Sequence, residues 1–217
     1  MKIEQLKEII SGGENLNVEF KEKFPGYEKT AKEMIAFANT GGGILIFGVR
    51  DNRKVLGIES EKEIAELVKE SAERYCNPPI KYEISFPEIK NKLLALVTIK
   101  SSPDKPHRIE DYKDKLDLNT AAVYIRIKDK SVPAGKEMIK LMLLQTEDNP
   151  LKKYEFGKNE KAVFRYLESN ETIDAKTLSK FANISMRRAS RTLINLVRAN
   201  LLLIHTKDNG ENFFSEK

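Results

Sequence analysis

The sequence is poor in the residues that build metal and redox centres. It has no tryptophan, one cysteine and two histidines among 217 residues. A single cysteine excludes an internal disulfide and a zinc site made of several thiolates. His107 and His205 are far apart, and neither has a second ligand three or four positions away, so a histidine-rich zinc site is excluded too. Cys76 ends a helical stretch, SAERYC, without a nearby histidine, and we interpret it as a structural thiol rather than a nucleophile.

Long apolar runs are also missing. The longest apolar runs in the sequence are far too short to span a bilayer. The first ten residues, MKIEQLKEII, have the pattern of an amphipathic helix rather than that of a signal peptide. Hydrophobic residues make up 40% of the chain and charged residues 33%, which is typical of a globular protein with its own core. We therefore expect a cytoplasmic protein that does not bind a membrane.

The positive charge is confined to one part of the chain. Residues 1–150 contain 25 lysines and arginines against 25 acidic residues, whereas residues 151–217 contain 13 against 8. The whole net charge of +5 thus comes from the last third. Such an excess is expected where a segment faces an anion such as nucleic acid.

A change of pattern near Thr146–Lys153 divides the sequence into two predicted domains, 1–148 and 149–217. The apolar helical run EMIKLMLLQ stops there, and Pro150 prevents its smooth continuation. In the front domain, helical and extended patterns alternate, which predicts an α+β fold with a mixed sheet. Helices are predicted near residues 3–10, 28–39, 61–75 and 136–145, and strands near 16–21, 44–49, 80–86, 93–99 and 122–127, with a hairpin from the turn DNRK into VLGI.

The second domain has the layout of a winged helix-turn-helix. Three helical segments, near residues 158–168, 175–182 and 186–200, precede a hairpin with the turn Asp208–Gly210. Asp174 and Ser185 are the predicted N-caps of the second and third helices, because their side chains can accept hydrogen bonds from the first free backbone N–H groups.

The third of these helices carries candidate nucleic-acid contacts. Its predicted core residues recur at helical spacing: Ala189, Leu193, Leu196 and Val197. Arg187, Arg188 and Arg191 lie off that stripe near the start of the helix, where a recognition helix presents side chains to the DNA major groove. Lys207 in the hairpin would contact a phosphate as part of the wing. The alternative is that the arginines form a solvated face and that the domain serves for docking or dimerisation.

Three consecutive glycines, Gly41, Gly42 and Gly43, lie in the stretch AFANTGGGILIFGVRD. A phosphate-binding loop runs from strand to glycines to helix, so that the phosphate meets the helix amino terminus. Here the order is helix, glycines, strand, and no Lys-Ser or Lys-Thr pair follows. We interpret Asn39 and Gly41 as the left-handed end of a helix, and Gly42 and Gly43 as residues that let the chain enter a buried strand at once.

Three motifs stand out in the front domain: ENLNVEFKEK, AFANTGGGILIFGVRDNRKVLGI, and YIRIKDKSVPA before a helix. Together they resemble the Schlafen-type AlbA-like domain, and the resemblance covers about residues 10–145. Many bacterial and archaeal proteins with this domain carry a carboxy-terminal winged helix and are labelled transcriptional regulators or ATP-binding proteins. The resemblance therefore implies a nucleic-acid-binding regulator.

The resemblance also implies candidate catalytic residues. The animal Schlafen proteins that cleave RNA use three carboxylates, and Glu14, Glu19 and Asp51 stand at the matching positions. Such carboxylates would bind Mg²⁺ or Mn²⁺, which can activate water at a phosphodiester, and Lys21 would neutralise phosphate. The active animal members contain two such lobes and a zinc site, whereas this chain has one lobe and cannot form that zinc site. A groove between lobes would require a homodimer.

Each of these residues also has an ordinary structural interpretation. By the two-residue period, Glu19 and Lys21 would lie with Asn17 on a polar strand face, opposite an apolar face formed by Leu16, Val18 and Phe20. Glu14 would end a helix. Asp51 would start a turn, where aspartate is common because it bonds the local backbone.

The sequence predicts a cytoplasmic, homodimeric, DNA-binding transcriptional regulator. Two-fold symmetry would place two recognition helices on successive major-groove faces of duplex DNA. The main alternative is an endoribonuclease that acts on structured RNA through Glu14, Glu19, Lys21 and Asp51 with a divalent metal. A third is an ATP-linked regulator with a nucleotide site of unconventional sequence.

Overall fold

Helices and strands alternate through the first part of the chain, and helices dominate the second. The computed structural model describes residues 2–146 and 156–217, and the chain divides into two units, Met1–Pro133 and Ala134–Lys217. The predicted domain boundary between residues 148 and 149 lies outside the described residues.

The first unit contains most of the predicted helices and longer strands, with ends shifted by a few residues. Its helices are α1 (Ile3–Gly12), α2 (Tyr27–Asn39) and α3 (Glu61–Arg74). Its strands are β1 (Val18–Lys21), β2 (Gly42–Phe47), β3 (Cys76–Asn77), β4 (Tyr82–Ser85), β5 (Glu88–Ile89), β6 (Lys92–Leu93), β7 (Ala95–Lys100), β8 (Arg108–Ile109), β9 (Tyr124–Ile127) and β10 (Lys130–Pro133).

A four-stranded mixed sheet of order β1-β2-β7-β4 forms the centre of this unit. β1 runs parallel to β2, and β7 runs antiparallel to both of its neighbours. Leu45 and Phe47 belong to a core cluster with residues of α2 and α3, while Ile46 belongs to a cluster with residues of α1. Because helices cover both faces, successive residues of β2 are apolar, as predicted for a fully buried strand.

The first strand differs from its prediction in two ways. Leu16 precedes the strand and is 42% exposed, so its predicted inward position is wrong. Val18 and Phe20 do lie in the core, but Glu19 between them is also buried, at 8% exposure. The polar-face interpretation therefore fails for Glu19, because an arginine from a distant strand covers it.

The predicted hairpin after β2 is reduced to a single bridge between Val49 and Val55. The turn itself is present, since the Arg53 N–H donates to the Arg50 carbonyl at 2.7 Å. Gly48 has a φ of 93°, which breaks the extended backbone before a second ladder can form. The predicted turn around Lys90–Lys92, between the strands near 80–86 and 93–99, is present and forms the short hairpin β5–β6. The hairpin β9–β10 was not predicted.

The glycine run ends the helix by a different route from the predicted one. Asn39 is buried, and its side chain bonds the backbone of His107, accepting from the N–H and donating to the carbonyl at 2.8 Å each. The left-handed residue is Gly42, with a φ of 81°, so the prediction for Asn39 and Gly41 is wrong. Gly43 begins the buried strand in close contact with α2, because a Cβ at this position would overlap ring atoms of Phe37.

The second unit consists of helices followed by one hairpin. Its elements are α4 (Lys136–Thr146), α5 (Lys158–Leu167), α6 (Ala175–Phe181), α7 (Met186–Arg198), β11 (Leu202–Thr206) and β12 (Asn212–Glu216). Both predicted N-caps are confirmed, with Asp174 accepting from the Thr177 N–H at 2.7 Å and Ser185 from the Arg188 N–H at 3.3 Å. A bridge between Ile173 and Phe214 ties the segment before α6 to β12.

Helix α4 belongs to this second unit, although the sequence analysis assigned it to the front domain. It packs against α7 and β12. The Lys140 ammonium donates to the Ser190 hydroxyl at 3.0 Å, and the Met138 N–H donates to the Asn212 side chain at 3.3 Å. The division of the chain thus falls before α4, because the partners of this helix lie downstream.

Candidate nucleic-acid interface and carboxylate cluster

The three candidate arginines lie together at the start of α7. Arg187, Arg188 and Arg191 are all exposed. The predicted core stripe of this helix is buried behind them, with Ala189, Leu193 and Leu196 at 0% exposure and Val197 partly buried. The buried stripe fixes the rotation of α7 and thereby keeps the arginines at the surface.

These arginines are not neutralised within the described part of the chain. Among residues 2–146 and 156–217, no acidic side chain forms an ion pair with Arg187, Arg188 or Arg191. Lys207 differs, because its ammonium pairs with the Glu211 carboxylate at 3.3 Å. Hydrogen bonds from Asn209 and then from Lys207 lower the pKa of Glu211. Among the described residues, the arginines of α7 are therefore free to bind an anion, whereas Lys207 of the hairpin already has a counter-ion.

Residues on both sides of the apolar stripe of α7 are also buried, which the sequence analysis did not predict. Ser190 and Ile194, on one side, are each 3% exposed, and Thr192, on the other side, is 5% exposed. Contact with α4 accounts for the burial of Ser190, since Lys140 of α4 bonds its hydroxyl. The polar side chains of Ser190 and Thr192 conceal these two sides from a search for apolar periodicity.

Glu14 is the first of the three candidate carboxylates. It is half-buried just after α1, and its Oε1 accepts from the Phe20 N–H at 2.8 Å. Burial raises the pKa of Glu14, and repulsion from Glu19 and Asp51 adds to the effect, while the Phe20 bond and Lys21 oppose it. Glu19 and Asp51 are therefore both close enough to Glu14 for their charges to affect its ionisation.

Glu19 is held by two cations. Its Oε2 accepts from Arg126 Nη1 at 2.8 Å, and its Oε1 accepts from the Lys21 ammonium. The Arg126 side chain is 0% exposed and the Glu19 side chain 10%. Both carboxylate oxygens of Glu19 are thus already used, and Lys21 serves as one of the counter-ions.

Arg126 connects four parts of the first unit. Besides Glu19 of β1, it contacts Glu33 of α2 at 3.3 Å, the Ser131 hydroxyl of β10 at 3.2 Å and the Asn15 carbonyl at 2.7 Å. Its guanidinium carbon lies 4.8 Å from the centre of the Phe37 ring. Sequence reasoning missed this residue, although a single arginine inside the apolar strand YIRI was the available signal.

Asp51 is exposed in the turn that Arg50 and Arg53 close. This position agrees with the interpretation of Asp51 as a turn residue. Within residues 2–146 and 156–217, no three histidine, cysteine or acidic side chains are arranged to hold a metal ion. A divalent metal at Glu19 would have to compete with Arg126 and Lys21, which already pair with both oxygens of its carboxylate.

The cysteine and the front-domain histidine are both buried. Cys76 lies 1% exposed with its sulfur 3.3 Å from the Ser71 carbonyl, and burial raises its pKa to about 12. A thiol with such a pKa is not a nucleophile at neutral pH, which agrees with the structural role predicted for it. His107 is 2% exposed, and burial lowers its pKa.

A family match covers the unit that holds the carboxylates. Residues 14–135 match the model of the family described as Schlafen, AlbA_2, which is more than half of the chain. The chain belongs to the Schlafen AlbA_2 family. Membership suggests a nucleic-acid-related function, and the AlbA_2 region includes both Glu19 and Arg126.

Two solved structures match this AlbA_2 protein distantly. The N-terminal domain of a DNA helicase RecG-related protein from Nitrosomonas europaea is 19% identical, with a TM-score of 0.40, covering 52% of this chain and 81% of that one. The DIP2311 protein from Corynebacterium diphtheriae is 17% identical, with a TM-score of 0.47, covering 71% of this chain and 35% of that one. The chain thus spans about a third of DIP2311. No curated protein matches the sequence.

No helix within residues 2–146 and 156–217 has both the length and the apolar character needed to cross a bilayer.

Proposed function

We propose that the second unit is a winged helix that binds duplex DNA and that the protein is a transcriptional regulator. The observation that carries this proposal is the set of three exposed arginines at the start of α7, which form no ion pair within residues 2–146 and 156–217. A recognition helix uses this end to contact base edges and phosphates. Arginine suits the position because its planar group donates two parallel hydrogen bonds to phosphate or guanine.

The arrangement of elements supports the same proposal. Helices α5, α6 and α7 precede the hairpin β11–β12, and the bridge from Ile173 to Phe214 joins the segment between α5 and α6 to the hairpin. This order is that of a helix-turn-helix with a following wing. A homodimer would place two copies of α7 on one face of the duplex.

Salt-dependent binding to duplex DNA tests the proposal. Each phosphate contact contributes about 0.9 to the slope of log K against log salt concentration, so replacing Arg187, Arg188 and Arg191 with alanine should reduce the slope by up to about three. Fluorescence anisotropy with genomic DNA fragments measures it, and the stoichiometry of the same titration reports whether two chains bind one site.

The matched control removes the same charge from α5, at exposed positions that the proposal does not use: Lys158→Ala, Lys161→Ala and Arg165→Ala. This variant should keep the parental slope. Equal slopes for the parent and the α7 variant would contradict the proposal, because the arginines would then contact no phosphate.

The endoribonuclease remains the rival interpretation, and the proximity of Glu14 to Glu19 and Asp51 favours keeping it under test. Incubation with structured RNA and Mn²⁺ or Mg²⁺ separates the two functions. If the parent protein cleaves RNA and the Asp51→Asn variant does not, the endoribonuclease is the correct function and the regulator proposal fails. Asp51 is the informative position because it is exposed, and its change does not break the ion pairs of Glu19.

A further inference from the structure

A basic cavity in the first unit has no role in the proposed function. It has a volume of about 510 Å³ and lies where α1, the Arg50–Arg53 turn and the β5–β6 hairpin meet. Four cationic residues line it, and none of the described lining residues is acidic: Lys7, Arg53, Lys90 and Lys92. A concave surface lined by one sign of charge attracts anions more strongly than the same charges spread over a flat surface.

Most of these cations are available to a ligand. Lys7, Arg53 and Lys90 are exposed, and none of their side chains pairs with another side chain in the described part of the chain. Lys92 donates to the Val55 carbonyl at 3.0 Å, which leaves two further donors on its ammonium. Ser11 adds a hydroxyl to the same lining.

Local packing holds the basic groups in place. A Cβ on Gly13 would lie 3.1 Å from Arg53 Nε and 3.2 Å from Nη2, so the guanidinium rests on the bare face of this glycine. Arg53 and Lys90 both have positive φ angles, 70° and 51°, which are uncommon for side chains of this size. At Lys90 the positive φ belongs to the two-residue turn of the β5–β6 hairpin, formed with Asn91, and this turn fixes where the Lys90 side chain leaves the backbone.

The floor of the cavity is apolar. Ile10 and Ile89 are 6% and 5% exposed, and Val55, which also lines the cavity, is half-buried. The lining is therefore apolar at its base and cationic at its rim, and lysine ammonium groups act as point charges for phosphate. Each repeating unit of a nucleic acid strand presents the matching pair of features, an apolar base and a charged phosphate.

The geometry points to a second nucleic-acid site in this cavity, one that binds the phosphate backbone of a single strand. It is separate from the α7 arginines and does not depend on the winged-helix assignment. The family suggests a nucleic-acid-related role for the region that contains most of the lining. The three residues to change are Lys7, Arg53 and Lys90, since Lys92 also bonds the backbone.

The test uses the full chain and a labelled single-stranded RNA or DNA oligonucleotide. The variant Lys7→Gln, Arg53→Asn, Lys90→Asn removes three charges, and asparagine tolerates the positive φ at the last two positions. Each single-strand phosphate contact contributes about 0.7 to the salt slope, so the slope should fall by about two. A control variant removes three exposed lysines that do not line the cavity and should keep the parental slope: Lys62→Gln, Lys69→Gln and Lys115→Gln.

Protection from acylation gives a readout at residue level. Saturating oligonucleotide should slow modification of Lys7 and Lys90 several-fold, as read by mass spectrometry, and should leave Lys62 and Lys69 unchanged. Equal protection of both pairs, or an unchanged salt slope in the cavity variant, overturns the inference. A cavity that binds ATP or inorganic phosphate but no oligonucleotide also overturns it, in favour of a free nucleotide or anion.

The same measurements separate this inference from the proposed function. If the α7 variant changes the salt slope on duplex DNA and the cavity variant leaves the slope on single strands unchanged, the regulator proposal stands and the cavity inference fails. If only the cavity variant changes its slope, the cavity inference stands and the regulator proposal fails. Combining the two variants should remove more binding to single strands than the α7 variant alone.

Discussion

Arg126 is a buried cation that holds together several segments of the first unit. Its buried guanidinium neutralises Glu19 and Glu33, and removing one partner of a buried ion pair leaves an uncompensated charge. We expect Arg126→Met to lower the free energy of unfolding by about 3–5 kcal/mol. Urea denaturation followed by circular dichroism measures the change.

The control for this prediction is an exposed pair of the same chemistry. Arg50 bonds Glu22 at 2.8 Å, but the two side chains are 44% and 46% exposed. Arg50→Met should therefore lower the free energy of unfolding far less than Arg126→Met does, because water already solvates both groups. Similar losses in the two variants would show that Arg126 is not a structural counter-ion.

Glu14 gives the protein a pH dependence of unusual sign. Its folded-state pKa lies above the ordinary value of 4.5. The folded chain therefore holds this proton more tightly than the unfolded chain, and the stability it contributes below pH 4.5 is lost as pH rises through the folded pKa. We expect Glu14→Gln to be more stable than the parent at neutral pH and to lose this advantage in acid, as measured by thermal unfolding across pH.

A neighbouring glutamate provides the opposite case. The hydrogen bond from Arg50 lowers the pKa of Glu22, so Glu22→Gln should be less stable than the parent at neutral pH. If Glu14→Gln behaved in the same way as Glu22→Gln, the raised pKa of Glu14 would be refuted.

At this scale, sequence reasoning succeeded where the controlling contacts are local. The caps Asp174 and Ser185 follow from residue type and the next three residues, and the stripe of α7 follows from helical spacing. It could not find the Glu19–Arg126 pair, because no local pattern links two charges on strands so far apart in sequence. It also could not foresee Asn39, whose partner is the backbone of His107.

Helix α4 shows which properties of an element follow from its own sequence and which follow from its neighbours. The sequence predicts its helical pattern, but its polar contacts to Ser190 and Asn212 follow only from the fold. A fragment of residues 134–217 should therefore unfold cooperatively at a higher temperature than a fragment of residues 149–217, which lacks α4 and its contacts to Ser190 and Asn212. Differential scanning calorimetry on both fragments checks this, and equal midpoints would assign α4 to the first unit.

For the molecule as a whole, net charge is a poor guide to where nucleic acid would bind. The first unit is balanced in charge along its sequence, yet the cavity lined by Lys7, Arg53, Lys90 and Lys92 concentrates cations from three separate segments. The excess of the last third is visible in the sequence, whereas this concentration arises only when α1, a turn and a hairpin come together.

The ion pair between β1 and β9 also has a consequence for synthesis on the ribosome. Glu19 and Arg126 are 107 positions apart, so the first strand emerges long before the guanidinium that neutralises it. Domains fold as units as the chain is made, and contacts distant in sequence form late. The nascent chain must keep the Glu19 and Glu33 carboxylates in water until β9 has left the exit tunnel, so the sheet can complete its burial only near the end of translation of this unit.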